Sequence, residues 1–415
     1  MPPRPHRSAV PRLPAAATVI AAALVVLPLL VTAGCGRGKK AAAGAAQETP
    51  PAPVAPNIDY AAIRPNELGY IPVIMYHEIG GGKVGGGSDP TLVRPVATFK
   101  KDLELLYEAG FRPVNLADVL DNHIDVPAGT SPVVLTFDDG RESQFRLTET
   151  ADALKVDPDC ALGILQSFSK RHPDWRMRAT FFVLPPSAKT TEVFGQAGLG
   201  PQKLRYLLDN GMEIGNHTLL HQNLSRMTPA QLQAEIGGAH NALLALVPDA
   251  KIKAVALPYG AFPKDKAHWR YLLQGTHEGK RYDYQAALDA EFQAILSPAA
   301  VGFDPNHLER VGARDDKWGV RWWIGELKAS GRYPRYVSDG DPNVVSYPQD
   351  VASDADVARL KAANKLANAY AGAAGGGNKP IVGAMDGASG GDAAAAPSTD
   401  GGGAPAPAPK PIVGG

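Results

Sequence analysis

Two short segments of the chain carry side chains that can bind a metal ion and move a proton. Asp138 and Asp139 are adjacent carboxylates that follow an apolar run, 133–137, typical of a buried strand. About eighty residues later, His217 and His221 are spaced so that both imidazoles can face one centre if the segment turns helically. One carboxylate with two histidines forms a three-ligand zinc set with an open fourth position, and the spare carboxylate can act as a base. The pattern indicates a metal hydrolase.

The surrounding chain alternates between strand-like and helix-like segments. Strand-like runs end directly before Asp138, directly before His217 and shortly before Tyr259. Apolar residues at helical spacing lie between them, for example after Thr228-Pro229, a good N-cap and first turn. Repeated strand–loop–helix units predict a mostly parallel sheet, open or closed into a barrel. Polar residues just past the carboxyl ends of its strands would then meet at the mouth of one active site.

Two more segments have the apolar periodicity of amphipathic helices. Phe99, Leu103 and Leu106 recur at helical spacing before Gly110, a C-cap residue. The stretch 354–370 has the same kind of pattern, and we interpret it as a final helix that covers the domain.

Composition limits the classes of function. Lysine plus arginine number 42 and aspartate plus glutamate 42, so the formal net charge is zero. A balanced charge gives no reason to expect a nucleic-acid partner. Only two cysteines occur, Cys35 and Cys160, which argues against a disulfide framework and against a cysteine-rich metal site.

Residues 1–35 have the pattern of an export segment. Three arginines among the first twelve residues precede an apolar run, 15–31, and Thr32-Ala33-Gly34-Cys35 ends the segment. These four residues resemble a bacterial lipobox, in which the cysteine is acylated after cleavage before it. We therefore predict a lipoprotein signal peptide and an extracytoplasmic protein that a lipid on Cys35 anchors to the membrane. An ordinary cleaved signal peptide and an uncleaved anchor are the alternatives, and both also export the chain.

Biased composition at both ends sets the domain limits. Residues 36–57 are rich in Gly, Ala and Pro and predict a flexible linker, followed by one globular domain over 58–371. Residues 372–415 contain too few large apolar side chains for a core and predict a low-complexity, disordered tail. Within the tail, the Lys-Pro-Ile-Val-Gly of 379–383 recurs at 410–414, which is either low-complexity drift or a pair of short binding motifs.

Three motifs, in this order and at this spacing, resemble those of a known family. Thr136-Phe137-Asp138-Asp139-Gly140, His217-Thr218-Leu219-Leu220-His221 and Pro258-Tyr259-Gly260 are similar to motifs of the polysaccharide deacetylases, carbohydrate esterase family 4. The resemblance covers roughly residues 68 to 345. It implies a distorted (β/α) barrel of the α/β class. It also implies the removal of N- or O-acetyl groups from polymeric sugars with a divalent metal, most often Zn²⁺.

The resemblance also implies a role for each residue of the motifs. Asp138 corresponds to the general base that deprotonates the attacking water, and Asp139 to a metal ligand together with His217 and His221. Tyr259 corresponds to the residue whose backbone N–H stabilises the oxyanion. This division is chemically sensible, because a metal lowers the pKa of water toward neutrality and a nearby carboxylate completes the deprotonation.

One departure from the family concerns the arginine that orients the base in many members. That arginine lies two residues before the proline of the third motif, where this chain has Ala256. Arg310 and Arg314 are the candidates to replace it, with Arg310 preferred. The alternative is that both are surface arginines.

A second departure concerns the general acid. The late Leu-x-His element of the family is not apparent after residue 260, but Ile74-Met75-Tyr76-His77 ends the first strand. This element resembles the poly-N-acetylglucosamine deacetylase branch, in which the motif order is permuted and the early histidine is the implied acid. His77 is therefore the predicted acid and His307 the alternative. The competing interpretation of His77 is a buried histidine with a purely structural role.

Together these features favour a membrane-tethered, metal-dependent enzyme that removes acetyl groups from a polysaccharide containing N-acetylhexosamine. Two other classes stay open on the sequence alone. One is a non-catalytic glycan-binding lipoprotein on the same fold, for which Ala256 and the missing late histidine are the only support. The other is a metal amidohydrolase that acts on a small amide.

Overall fold

The computed structural model describes residues 53–80, 89–290, 292–329, 331–371 and 410–413. The predicted export segment with Cys35, most of the linker and residues 372–409 of the tail lie outside the described residues. No helix within the described ranges is both long enough and apolar enough to cross a membrane.

Strands and helices alternate along these ranges. The helices are α1 (Tyr60–Ile63), α2 (Val96–Glu108), α3 (Leu116–Leu120), α4 (Ala161–Arg171), α5 (Gly200–Asp209), α6 (Pro229–Leu246), α7 (Arg270–Leu273), α8 (Val320–Lys328) and α9 (Val357–Ala362). The strands are β1 (Tyr70–Ile71), β2 (Val73–Tyr76), β3 (Glu78–Ile79), β4 (Val93–Arg94), β5 (Phe111–Val114), β6 (Ser131–Asp139), β7 (Leu147–Glu149), β8 (Leu154–Val156), β9 (Thr180–Val183), β10 (Glu213–Asn216), β11 (Ala254–Ala256), β12 (Gln274–His277), β13 (Lys280–Asp283), β14 (Ala286–Leu288), β15 (Ile295–Leu296), β16 (Val311–Gly312), β17 (Val344–Pro348), β18 (Leu366–Tyr370) and β19 (Ile412–Val413).

Eight parallel strands form the main sheet. Their order is β14-β11-β10-β9-β6-β2-β16, and β5 pairs with the first half of β6. Leu308 forms a parallel bridge with Leu288 at the end of β14, while Val311 in β16 pairs with Ile74 in β2. The segment 308–312 therefore touches both edges of the sheet and curls it into a distorted barrel. This confirms the (β/α) barrel that the family resemblance implies.

The central strand β6 is buried along all of its length, which is typical of a parallel strand covered on both faces. The rings of Tyr76, Phe137 and Phe181 stack side by side on three neighbouring strands, with centroids 5.5 and 4.9 Å apart. Phe99 of α2 meets the first two rings edge-on. This aromatic layer fixes the position of β6, whose last two residues are Asp138 and Asp139.

Two helices follow their sequence signals closely. In α2, Phe99, Leu103 and Leu106 are completely buried, and Gly110 has a φ of 82° just after the helix, as the predicted C-cap requires. In α6, the Thr228 side chain accepts from the backbone N–H of Gln231, whose own side chain accepts from Thr228 in return. Both helix predictions are confirmed.

The prediction of one final helix over 354–370 is wrong. Helix α9 ends at Ala362, Asn364 adopts a left-handed φ of 54°, and the chain continues as β18. Strand β18 pairs in parallel with β17, and the Asn368 amide donates to the Ser346 hydroxyl across that pair. The left-handed asparagine stops the helix, and pairing with a distant strand then outweighs the local helical periodicity.

The prediction of a disordered tail is wrong for its last described residues. Strand β19, within 410–413, pairs in parallel with β8. An edge strand more than 250 residues earlier in the chain supplies the backbone partners that the tail sequence itself lacks.

The close approach at Gly69 gives a test of the packing at the start of the barrel. A Cβ at this position would lie 2.4 Å from the backbone carbon of Arg335 and from the backbone nitrogen of Tyr336. We expect Gly69→Ala to lower the free energy of unfolding by roughly 1–3 kcal/mol in urea titrations, because backbone cannot move aside cheaply. The matched control is Gly325→Ala in α8, where nothing lies within 4 Å and alanine should stabilise the helix by about 0.5–1 kcal/mol. Equal stability of Gly69→Ala and the wild type would contradict this packing.

Candidate active site

A cleft of about 1260 Å³ opens where the parallel strands of the barrel end. It is lined by residues at or just past the carboxyl ends of six strands, namely His77, Asp138, Asp139, His217, Leu257, Tyr259, Ala290 and Ala313. The strands therefore bring the polar residues predicted from four separate segments to one mouth.

Asp139, His217 and His221 form a compact set of potential metal ligands. One ligand atom from each lies within 4.8 Å of the other two, and the Nε2 atoms of both histidines are 3.3 Å from Oδ1 of Asp139. In tetrahedral coordination with metal–ligand distances of about 2.0–2.1 Å, two ligand atoms are roughly 3.3 Å apart. The spacing therefore fits a small divalent cation such as Zn²⁺.

The hydrogen bonding of His217 also fits a cation. Its Nδ1 lies 2.9 Å from the carbonyl oxygen of Ala256, which can only accept, so Nδ1 carries the proton and Nε2 presents a lone pair. This Nε2 is buried and has no hydrogen-bond partner. The contact of this Nε2 with a carboxylate oxygen at 3.3 Å needs a proton or a metal cation between the two atoms.

The two histidines do not lie on a helix, contrary to the turn expected from their spacing. Thr218 and His221 have left-handed φ values of 67° and 52°. The bend is held by side chains, since the Thr218 N–H donates to Asn216 and the Leu220 N–H donates to the buried carboxylate of Glu235. An irregular turn thus brings both imidazoles to the same carboxylate, with ring centroids 5.0 Å apart.

Arg310 holds Asp138 in a two-point ion pair. Its Nη1 donates to Oδ1 at 2.7 Å and its Nη2 to Oδ2 at 2.9 Å, and both side chains are buried. The Nε of Arg310 donates to the carbonyl oxygen of Asp289 at 2.7 Å, which fixes the plane of the guanidinium. Arg310 therefore supplies the charge that Ala256 cannot. Arg314 instead pairs with Asp316 near the surface.

The charges around the two aspartates keep both ionised. Burial alone would raise the pKa of Asp138, but the nearby charges of Arg310, His217 and His77 lower it. Burial would likewise raise the pKa of Asp139, which the adjacent imidazoles of His217 and His221 lower far more strongly. Burial would lower the pKa of His217, but the charges of Asp138 and Asp139 raise it.

His77 follows β2, which lies on the other side of β6 from β10, the strand that His217 follows. Its Nε2 is 4.0 Å from Oδ2 of Asp138, and the Nε2 of His217 is 4.0 Å from the same oxygen. Burial lowers the pKa of His77, and the two aspartates act against that effect. His307, the alternative acid, is not among the described residues that line the cleft; its Nε2 contacts the carboxylate of Asp289 at 2.5 Å.

Gln144 is a positioning residue that the sequence does not reveal. Its buried Nε2 donates to the backbone carbonyl of His77 at 2.7 Å and also to that of Asp138. It therefore ties the ends of β2 and β6 together at the site. Both partners of Gln144 are backbone atoms, so no sequence motif predicts the contact.

Left-handed backbone conformations concentrate at the cleft. Asp139 has a φ of 75° and Tyr259 a φ of 60°, in addition to those of Thr218 and His221. Each such non-glycine residue costs about 1–3 kcal/mol and persists only where its surroundings hold it. The exposed ring of Tyr259 lies 4.9 Å from that of His221, so the third motif forms a wall of the cleft beside the ligands.

Comparison with known proteins connects this site to a family. The family model described as polysaccharide deacetylase matches residues 125–273, which include Asp138, Asp139, His217, His221 and Tyr259. This part of the chain is therefore similar to the polysaccharide deacetylase family. His77 and Arg310 both lie outside the matched range, in agreement with the departures from the usual motif order.

Several known proteins resemble parts of this chain. A chitooligosaccharide deacetylase of Bradyrhizobium sp. (strain ANU 289) is 32% identical over 152 residues, 37% of this chain and 56% of the relative. A chitooligosaccharide deacetylase of Sinorhizobium fredii is 28% identical over 137 residues, 33% of this chain and 51% of the relative. The chain thus spans about half the length of the curated relatives it matches. The solved Streptococcus pyogenes deacetylase PplD in complex with acetate is 18% identical and aligns with a TM-score of 0.45, over 62% of this chain and 97% of that one.

Removing one ligand tests the metal centre. We expect His221→Ala to weaken Zn²⁺ binding at least about 100-fold, more than the loss of an outer hydrogen-bond partner, in titrations against a chromophoric chelator. His268→Ala is the matched control, because His268 contacts Asp265 and Tyr271 and is not among the described residues that line the cleft. Unchanged affinity in His221→Ala, or equal losses in both variants, would contradict the assignment.

Proposed function

We propose that this protein is a metal-dependent hydrolase that removes acetyl groups from a polysaccharide containing N-acetylhexosamine. One observation carries the proposal. A single oxygen of Asp138 lies 4.0 Å from Nε2 of His77 and 4.0 Å from Nε2 of His217 of the ligand set. A base, a second proton-carrying group and a metal set around one open space are the parts that amide hydrolysis needs.

When bound by Asp139, His217 and His221, a divalent cation would supply a Lewis acid that lowers the pKa of water and polarises the acetyl carbonyl. Asp138 accepts the proton of the attacking water. Arg310 keeps Asp138 ionised and orients it, because both carboxylate oxygens are held by the guanidinium. The free lone pairs of Oδ2 face the ligand set rather than the protein core.

His77 donates a proton to the departing amine of the sugar. An amine is a poor leaving group without a proton, so an acid must come within hydrogen-bond reach of the nitrogen. His77 comes from the end of β2 and lines the cleft across Asp138 from His217. The backbone of Tyr259 lies at the cleft wall, where its N–H would stabilise the oxyanion.

The proposed substrate class rests on the names of two relatives and on the position of His77. Two relatives are named chitooligosaccharide deacetylases, whose name denotes N-acetylated sugar oligomers. We infer a chain of N-acetylhexosamine units as the substrate here, of the poly-N-acetylglucosamine type suggested by the position of His77. The export segment supports an extracytoplasmic location with a lipid anchor on Cys35.

Acetate release tests the reaction. The full chain should release acetate from N-acetylglucosamine oligomers, chelation should abolish the release, and added Zn²⁺ should restore it. No metal-dependent release from any of a panel of acetylated glycans would contradict the enzyme proposal and favour a glycan-binding protein. Release from small acetamides but from no oligomer would indicate a small-amide amidohydrolase instead.

Replacing His77 tests the general acid. We expect His77→Ala to lower kcat by about 10²–10⁴-fold on N-acetylglucosamine oligomers at unchanged metal content, as loss of acid catalysis does. An aryl acetate, whose leaving group needs no proton, should be hydrolysed within about tenfold of the wild-type rate. His307→Ala serves as the matched control and should stay close to wild type on both substrates. An equal loss of rate on both substrates in His77→Ala would contradict the acid role.

A further inference from the structure

The last described residues of the chain form a strand on the edge of a hairpin. Ile412 pairs with Leu154 and Val413 with Lys155, in parallel. The Leu154 N–H donates to the carbonyl oxygen of Pro411 at 3.0 Å. The strand therefore extends the β7–β8 hairpin to three strands by adding main-chain hydrogen bonds to its open edge, a common mode of peptide recognition.

Side chains of the hairpin and of α5 contact the strand specifically. The Lys410 ammonium pairs with the carboxylate of Glu149 and reaches the carbonyl oxygen of Thr150 at 3.5 Å. The Gln202 amide donates to the carbonyl oxygen of Lys410, and Ile412 packs against the main hydrophobic core. The basic residue Lys410 and the aliphatic residue Ile412, two positions later, are thus bound by separate contacts.

The sequence of the tail sets these residues apart. Every lysine, isoleucine and valine of 372–415 belongs to one of two copies of Lys-Pro-Ile-Val-Gly, at 379–383 and 410–414. The 26 residues between them, 384–409, are Gly, Ala, Pro and small polar residues with one methionine. Lys410 and Ile412, which contact the hairpin, α5 and the core, therefore belong to the repeated Lys-Pro-Ile-Val-Gly segment.

We propose that the open edge of β8 is a docking site for the Lys-Pro-Ile-Val-Gly segments of this chain. The terminal copy occupies the edge, and the copy at 379–383 is a second ligand for the same edge. Because both copies are attached to the domain, each is present at a high effective concentration and docks without needing strong intrinsic affinity.

The hairpin that the docked strand extends is linked to a wall of the cleft through β7. Gln196 accepts from the N–H of Leu147 in β7 at 2.7 Å and donates to its carbonyl oxygen at 2.8 Å. The turn before Gln196 contributes Glu192 and Gly195 to the cleft lining, and the Phe194 N–H donates to Gly140 beside Asp139. A third strand on the hairpin therefore stiffens the elements that carry one side of the site.

Hydrogen exchange at the Leu154 amide tests the docking in the full chain. The wild type and Ile381→Asp should exchange slowly at this amide, Ile412→Asp at an intermediate rate, and the double variant at least about tenfold faster than the wild type. Equal exchange in the wild type and the double variant would overturn the docking. Exchange in Ile412→Asp as fast as in the double variant would overturn the role of the second copy.

Two additions test sequence recognition. A free Lys-Pro-Ile-Val-Gly peptide should restore slow exchange at Leu154 in the double variant, whereas a scrambled peptide of the same composition should not. Glu149→Lys should speed exchange, and combining it with Lys410→Glu should slow it again by exchanging the two charges. Equal protection by both peptides, or no recovery in the charge exchange, would overturn a site that reads this sequence.

Discussion

The ion pair between Asp138 and Arg310 is the interaction on which the rest of the site depends. A carboxylate buried without a counter-charge costs several kcal/mol and would take up a proton, which would end its use as a base. Arg310 prevents this with two hydrogen bonds, and it comes from the segment 308–312 that joins the two edges of the barrel. The segment that closes the barrel therefore also supplies the positive charge that keeps Asp138, the proposed base, ionised.

Closure also sets the direction of the chemistry. Because the guanidinium of Arg310 occupies the core side of Asp138, the carboxylate can accept a proton only from the side of the cleft. There the ligand set on one side comes from β6 and from the loop after β10, while His77 on the other comes from β2. Gln144 links the backbone of His77, just after β2, to that of Asp138 in β6. The separate positions of the ligand set and of His77 thus follow from the order of the strands in the parallel sheet.

Much of this arrangement is readable in the sequence, because strands, helices and ligands leave local patterns. The run before Asp138, the cap at Thr228 and the paired histidines are such patterns. What the sequence leaves open depends on contacts between distant segments. No local pattern distinguishes Arg310 from a surface arginine, because its contact with Asp138 forms only when the barrel closes. The strand at Ile412 depends on pairing with the edge strand that contains Leu154. The turn at Thr218 differs from a helix because Asn216 and Glu235, as side-chain partners, replace the helical hydrogen bonds.

The central claim is that two adjacent carboxylates have separate tasks: Asp139 binds the metal and Asp138 moves the proton. The most direct test measures metal content and acetate release on the same preparations of Asp138→Asn and Asp139→Asn. The account predicts that Asp138→Asn keeps its metal and loses turnover by at least about 10³-fold, whereas Asp139→Asn loses both. An Asp138→Asn variant that turns over normally, or that loses the metal as completely as Asp139→Asn, would contradict it.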